Sequence, residues 1–220
     1  MNTVIKHIVA RTYKPLLVRY LSKTRSYRYK DIMLEIPPGV FHPGFFFSTQ
    51  LLLQYISNMP LNAKHFLELG CGSGLISLVA AKNGAIVTAS DINPLAIDSL
   101  KNNSRQNKIK LEIIGSDLFE NLTGKYDVIA INPPYYKQDP VTYGDHAWFC
   151  GSHGEYFSRL FASLDKHIHN DSEVLMVLFD GCDLEMIKDF AITNHFRLNC
   201  VYSKQNMLEK NFIYKIEKIS

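Results

Sequence analysis

A chain of 220 residues with 46% hydrophobic and 20% charged content suits one globular domain of ordinary size, with at most a small appendage. The longest apolar run, Val174 to Phe179, is far too short to cross a membrane, and four scattered cysteines without a Cys-x-x-Cys pair suit a reduced, cytoplasmic protein. Net charge is only +3, but residues 1–30 hold eight of the 24 Lys and Arg and no acid, so the other 16 face 21 acidic residues.

That basic arm suits an RNA, ribosomal or acidic protein partner, or is simply a solvated helix face; its acid-free, Arg-containing start is also like a mitochondrial transit peptide. Val4, Ile5, Ile8, Val9, Leu16, Leu17, Tyr20 and Leu21 recur at helical spacing and predict a helix over residues 3–22, bent or interrupted at Pro15. Tyr27 to Glu35 has strand character, and Ile36-Pro37-Pro38-Gly39 reads as a turn leading to Val40–Pro43, together a small hairpin. Residues 1–43 are thus expected as a short extension and 44–220 as the main domain. Ser48 or Thr49 is placed to cap an apolar helix running through Leu51, Leu52, Leu53, Tyr55 and Ile56 to Pro60.

From Lys64 onward, strands are expected at 65–69, 85–90, 111–115, 126–132 and 173–179, with helices near 75–83, 94–107, 153–169 and 183–195. The alternation argues for a parallel sheet with helices on both faces. The chain closes differently: Arg197 to Lys204 and Phe212 to Ile219 alternate without a helix between them, so one of these strands should run antiparallel to the rest. The fold class is therefore α/β: a Rossmann-like, seven-stranded, mostly parallel sheet with one antiparallel C-terminal strand.

Three polar motifs follow three of these strands. Glu68-Leu69-Gly70-Cys71-Gly72-Ser73-Gly74 joins a strand to a helix through glycines, which let a ligand approach the backbone and the helix N–H groups; a plain tight turn is the alternative. Asp91 ends the second strand, 21 residues after Gly70, where a carboxylate can accept both hydroxyls of a ribose; with Asn93-Pro94 following, helix capping competes. Asp117 follows the third strand, placed to meet an adenine, unless it is only a loop carboxylate. A nucleoside ligand at the carboxyl ends of an open α/β sheet accounts for all three. The fourth strand stops at Asn132-Pro133-Pro134-Tyr135, because consecutive prolines cannot continue a ladder. The Asn132 side-chain oxygen and the Pro133 carbonyl would be fixed acceptors for a planar –NH2 group, with the Tyr135 ring to stack on it; a simple turn signal is the bland reading.

Taken together, these ordered motifs resemble those of class I S-adenosylmethionine-dependent methyltransferases, and more narrowly the HemK family of protein glutamine-N5 methyltransferases. The likeness extends to Pro38–Pro43, Ser48–Leu53, Ala147-Trp148 with Gly151 and Gly154, and the C-terminal strand pair, covering roughly residues 27–219. It implies S-adenosylmethionine as cofactor. Glu68, Gly70, Gly72 and Gly74 would shape the methionine end of the pocket, Asp91 would hold the ribose, and Asp117 would bind near the adenine. Asn132, Pro133 and Tyr135 would hold the acceptor, and Asn132 would also border the cofactor. The sulfonium supplies the electrophile, so neither a metal nor a protein nucleophile is required. His146, Cys150 and His153 are accordingly not read as metal ligands.

The chain departs from the long bacterial release-factor methyltransferases. About 26 residues precede the hairpin where those enzymes carry a helical domain, and their Arg-Pro-x-Thr-Glu segment reads Phe46-Phe47-Ser48-Thr49-Gln50 here. The length and the Ala147-Trp148 region are more similar to the short eukaryotic and archaeal members, which work with a small zinc-binding partner. The expected acceptor is a glutamine amide of a translation-related protein. An exocyclic amine of adenine in RNA or DNA, stacked on Tyr135, is the alternative, and a non-catalytic cofactor-binding or assembly protein is a third.

Overall fold

The computed structural model describes residues 19–207 and 209–219; apart from Arg19 to Leu21, which are helical, the helix expected over residues 3–22 lies outside them. The strands are β1 (Arg25–Tyr29), β2 (Ile32–Ile36), β3 (His65–Leu69), β4 (Ile86–Asp91), β5 (Glu112–Gly115), β6 (Tyr126–Ile131), β7 (Ile168–Phe179), β8 (Phe196–Gln205) and β9 (Lys210–Lys218). The helices are α1 (Phe47–Ser57), α2 (Leu75–Lys82), α3 (Pro94–Asn107), α4 (Glu155–Leu164) and α5 (Leu184–Thr193). The main sheet has the order β5-β4-β3-β6-β7-β9-β8, in which β9 runs antiparallel to both of its neighbours.

Period-two alternation builds a core on each face, as a sheet covered on both sides requires. Phe66, Val128, Leu175 and Val177 face one way, against Leu51, Leu52 and Leu53 of α1 and the apolar side of α2. Leu67, Ile129, Val174 and Met176 face the other, against Phe157, Leu160 and Phe161 of α4 and Ile187 of α5. The chain leaves β3 toward β4 and β5, then returns to the other side of β3 as β6. Reversals of this kind open a crevice at the carboxyl ends of the strands, where the four motifs converge.

The hairpin differs from expectation. Its turn is Lys30-Asp31, inside the stretch read as strand, and β1 and β2 pair with Tyr29 opposite Ile32. Lys30 takes a left-handed conformation (φ 52°) that reverses the chain, whereas Val40–Pro43 forms no strand. Ile32, Leu34 and Ile36 point into the first core. On its open edge β2 is held by α3: Asn103 accepts from Glu35 N at 2.8 Å, Asn107 accepts from Met33 N at 2.9 Å, and Ser99 donates to the Glu35 carbonyl at 2.9 Å.

Two other boundaries moved. The helix expected over 153–169 stops at Leu164, because Asp165–His167 tightens into a 3-10 turn and Ile168 already pairs with Tyr126. α1 starts at Phe47 with Phe46 at the capping position, so Ser48 and Thr49 lie inside its first turn and cap nothing.

Candidate functional site

The glycine turn follows β3. Gly70, Gly72 and Gly74 all have positive φ, but they do different things. A Cβ at Gly70 would meet nothing within 4 Å, and Gly70 and Gly72 line a cavity above the sheet. A Cβ at Gly74 would stand 2.1 Å from Leu100 Cδ1, and Gly74 does not line the cavity; it lets α2 start in close contact with α3.

Glu68 also lines the cavity, on the face of β3 that meets α2. Its Oε2 accepts from Ser77 N at 2.7 Å and from the Ser77 hydroxyl. Burial pushes the Glu68 carboxyl up to about 8, the Ser77 bonds work against that rise, and the neighbouring Asp91 charge adds to it.

Asp91 is tied to the glycine turn rather than to a helix end. Its Oδ2 accepts from Gly72 N and its Oδ1 from Asn93 N, both at 2.8 Å. Burial raises its pKa against those two bonds. The cap of α3 is Asn93, which accepts from Leu95 N at 3.0 Å and donates to the Gly39 carbonyl at 2.9 Å. Each Asp91 oxygen keeps a second lone pair for a diol. Beside it Ser90, which is 1% exposed and lines the cavity, has a hydroxyl with no hydrogen-bond partner among the described residues. A buried orphan of this kind calls for a polar guest.

Asp117 lies at the same cavity, but Arg159 Nη2 holds its Oδ2 at 2.9 Å and also reaches Glu120. Any adenine contact there is shared with that ion pair. Asn132, Pro133 and Tyr135 complete the wall at the end of β6. Asn132 Nδ2 donates to Thr49 Oγ1 at 3.1 Å, and Oδ1 has no partner among the described residues. Tyr135 packs its ring 4.8 Å from Phe179 and 5.4 Å from Tyr136, and burial drives its phenol pKa well upward. The structure thus brings the expected site residues to one cavity, Gly74 excepted.

Other lining residues were not anticipated. Tyr156, in the first turn of α4, lies close enough to Asp91 and Asp117 for both charges to add to the rise that burial gives its phenol. Helical periodicity alone reads it as core. Phe41 and Pro43 line the cavity, whereas the neighbouring Phe45, Phe46 and Phe47 do not. Phe46 instead packs behind Phe41, at 4.4 Å, and against Trp148, at 5.0 Å. His146 and Tyr143 also face the cavity. Among the described residues no three His, Cys, Asp or Glu side chains gather closely enough to hold a metal ion.

The donor set suits a nucleoside carrying a cationic, amino-acid-like end: paired oxygens on Asp91 for a diol, an open glycine turn, and the carboxyl of Glu68. The proteins this chain is similar to are named as methyltransferases and differ in substrate. A Methanocaldococcus jannaschii protein provisionally named a protein N5-glutamine methyltransferase is 43% identical over 107 residues, 48% of this chain; the match spans about half of that relative, 52%. A ribosomal RNA small subunit methyltransferase C from Hamiltonella defensa is 31% identical over 118 residues, 53% of this chain and 35% of its own. The crystal structure of ribosomal protein L11 methylase from Lactobacillus delbrueckii subsp. bulgaricus superimposes with a TM-score of 0.63 at 22% identity, over 84% of each chain. The family described as methyltransferase small domain matches residues 31–150, a span running from the second strand of the hairpin through the glycine turn, Asp91, Asp117 and the Asn-Pro-Pro-Tyr corner. With more than half of its length inside that match, the chain belongs to the methyltransferase small domain family.

Proposed function

We propose that the protein methylates a glutamine side-chain amide of a translation-related protein, in the manner of the HemK enzymes it resembles. The observation that carries this reading is the Asn132 amide. Its Nδ2 is engaged by Thr49, so Oδ1 is the atom left to accept from a guest, beside the Pro133 carbonyl and the Tyr135 ring. An amide –NH2 offers two hydrogens and a flat face, which these three groups match.

S-adenosylmethionine, when bound, supplies a sulfonium methyl as electrophile. Glu68, Gly70, Gly72, Asp91 and Asp117 would hold it, with Asp91 at the diol, Asp117 near the adenine and Glu68 at the amino-acid end. The chain's own work is then to make a poor nucleophile attack. The lone pair of an amide nitrogen is delocalised; Asn132 and Pro133, by taking both hydrogens, favour a nitrogen whose lone pair is directed at the methyl carbon. An amide nitrogen that had accepted the methyl group would be acidic. It can therefore lose a proton to water without a strong base in the site.

The similarity to the M. jannaschii protein supports the glutamine acceptor. A second reading, an exocyclic amine of adenine in RNA or DNA, draws support from the ribosomal RNA methyltransferase relative and from the acid-free basic segment of residues 1–30. Labelling a cell extract with radioactive S-adenosylmethionine, then splitting it between protease and nuclease, separates the two. Protease-sensitive label that is lost with Asn132→Ala is expected; nuclease-sensitive label would transfer the assignment to nucleic acid. A silent purified enzyme that becomes active in extract would point to the small activating partner used by the short HemK members.

A further inference from the structure

The Asn-Pro-Pro-Tyr corner does not stand alone: the first turn of α1, 83 residues earlier in the chain, is packed against it. Thr49 is 5% exposed and accepts from Asn132 Nδ2 at 3.1 Å. Ser48 is 3% exposed, and its hydroxyl has no hydrogen-bond partner among the described residues. Neither side chain caps the helix. The turn that carries them is fixed from behind. Gln50 Nε2 donates to the Pro43 carbonyl at 3.1 Å and to the Tyr27 hydroxyl at 3.2 Å, and Phe46 is wedged between Phe41 and Trp148.

The geometry points to Thr49 as a positioning residue for methyl transfer: by accepting from Asn132 Nδ2 it holds that amide with the oxygen toward the acceptor. This rests on the acceptor reading above and adds a residue to it. The physical need is specific to asparagine, whose amide keeps its shape when rotated by half a turn while donor and acceptor exchange places. A rotated amide would aim two N–H groups at a guest –NH2 that also presents hydrogens, and binding would be repulsive. Thr49 engages the nitrogen end. The oxygen is thereby left for the guest, with no reorganisation needed when it arrives.

Thr49→Val keeps the volume and removes the hydroxyl; Thr49→Ser restores it. In extract labelling at saturating cofactor, Thr49→Val should lower the maximal rate about tenfold, as loss of one well-placed hydrogen bond implies. Its KM for S-adenosylmethionine and its calorimetric affinity for that cofactor should stay within about twofold of the parent. Thr49→Ser should recover most of the rate. The side-chain amide resonance of Asn132, identified by its disappearance in Asn132→Ala, supplies a readout that needs no acceptor. It should move in Thr49→Val and return in Thr49→Ser. An unmoved resonance or an undiminished rate in Thr49→Val overturns the assignment, as does a cofactor affinity that falls in parallel with the rate. If the parent enzyme labels no protein, the acceptor reading fails by itself, while the resonance still decides the role of Thr49.

Discussion

In the proposed reaction Asn132 carries the chemistry, and Glu68 and Asp91 beside the glycine turn hold the cofactor. Asn132→Ala should reduce turnover by at least about 100-fold, the usual loss when one preorganised polar contact to the reacting group is removed. Cofactor affinity measured by calorimetry should change less than about threefold, because the atom lost faces the acceptor. Glu68 sets a pH dependence. Folded, it holds its proton up to about 8; unfolded, it releases it near 4.5. Between those limits the folded state binds the extra proton, so its contribution to stability is full below about 4.5 and is lost as pH rises through about 8. Asp91, also raised by burial, acts in the same direction. Urea denaturation across that range should show falling stability for the parent and a shallower fall for Glu68→Gln. An equal slope in both would show that Glu68 is ionised in the fold throughout.

At the element scale, two glycines in one turn should fail in opposite ways. Gly74→Ala forces a left-handed alanine into Leu100 and should cost about 3 kcal/mol of stability by chemical denaturation. Gly70→Ala points its methyl into open cavity, costs only about 1 kcal/mol for the backbone, and should weaken the cofactor instead. The hairpin gives a third test. Asn103 is fully buried, accepts from Glu35 N, and donates to the carbonyls of Glu35 and Ser73, joining β2 to the glycine turn. Asn103→Ala removes the partner of the Glu35 amide and of the Ser73 carbonyl, while the Glu35 carbonyl keeps Ser99, and should cost about 2 kcal/mol. Denaturation midpoints check both values.

Across the whole molecule, the parallel sheet and its cavity were legible because each strand carries its own signal. Apolar runs ended at Gly70, Asp91, Asp117 and Asn132, and a parallel sheet brings such ends to one edge. Contacts between distant segments were not legible. Ser48 and Thr49 have the chemistry of helix caps, and only the tertiary position of α1 brings Thr49 to Asn132. The Lys30-Asp31 turn hid in a strand-like run because its signal is backbone conformation, not a glycine or proline. Tyr156 lies in a helix whose apolar spacing conceals its place at the cavity that Asp91 and Asp117 also line. Gly74 matched a ligand motif for a packing reason.

The central claim is that the cavity methylates the side-chain amide of a protein glutamine. Its most direct test is mass spectrometry of the labelled acceptor after incubation of extract with the purified enzyme and S-adenosylmethionine. The account predicts a single added methyl on the side-chain nitrogen of a glutamine, released as methylamine by acid hydrolysis and absent with Asn132→Ala. A methyl group found on a nucleobase, or on a protein side chain other than an amide, would contradict it.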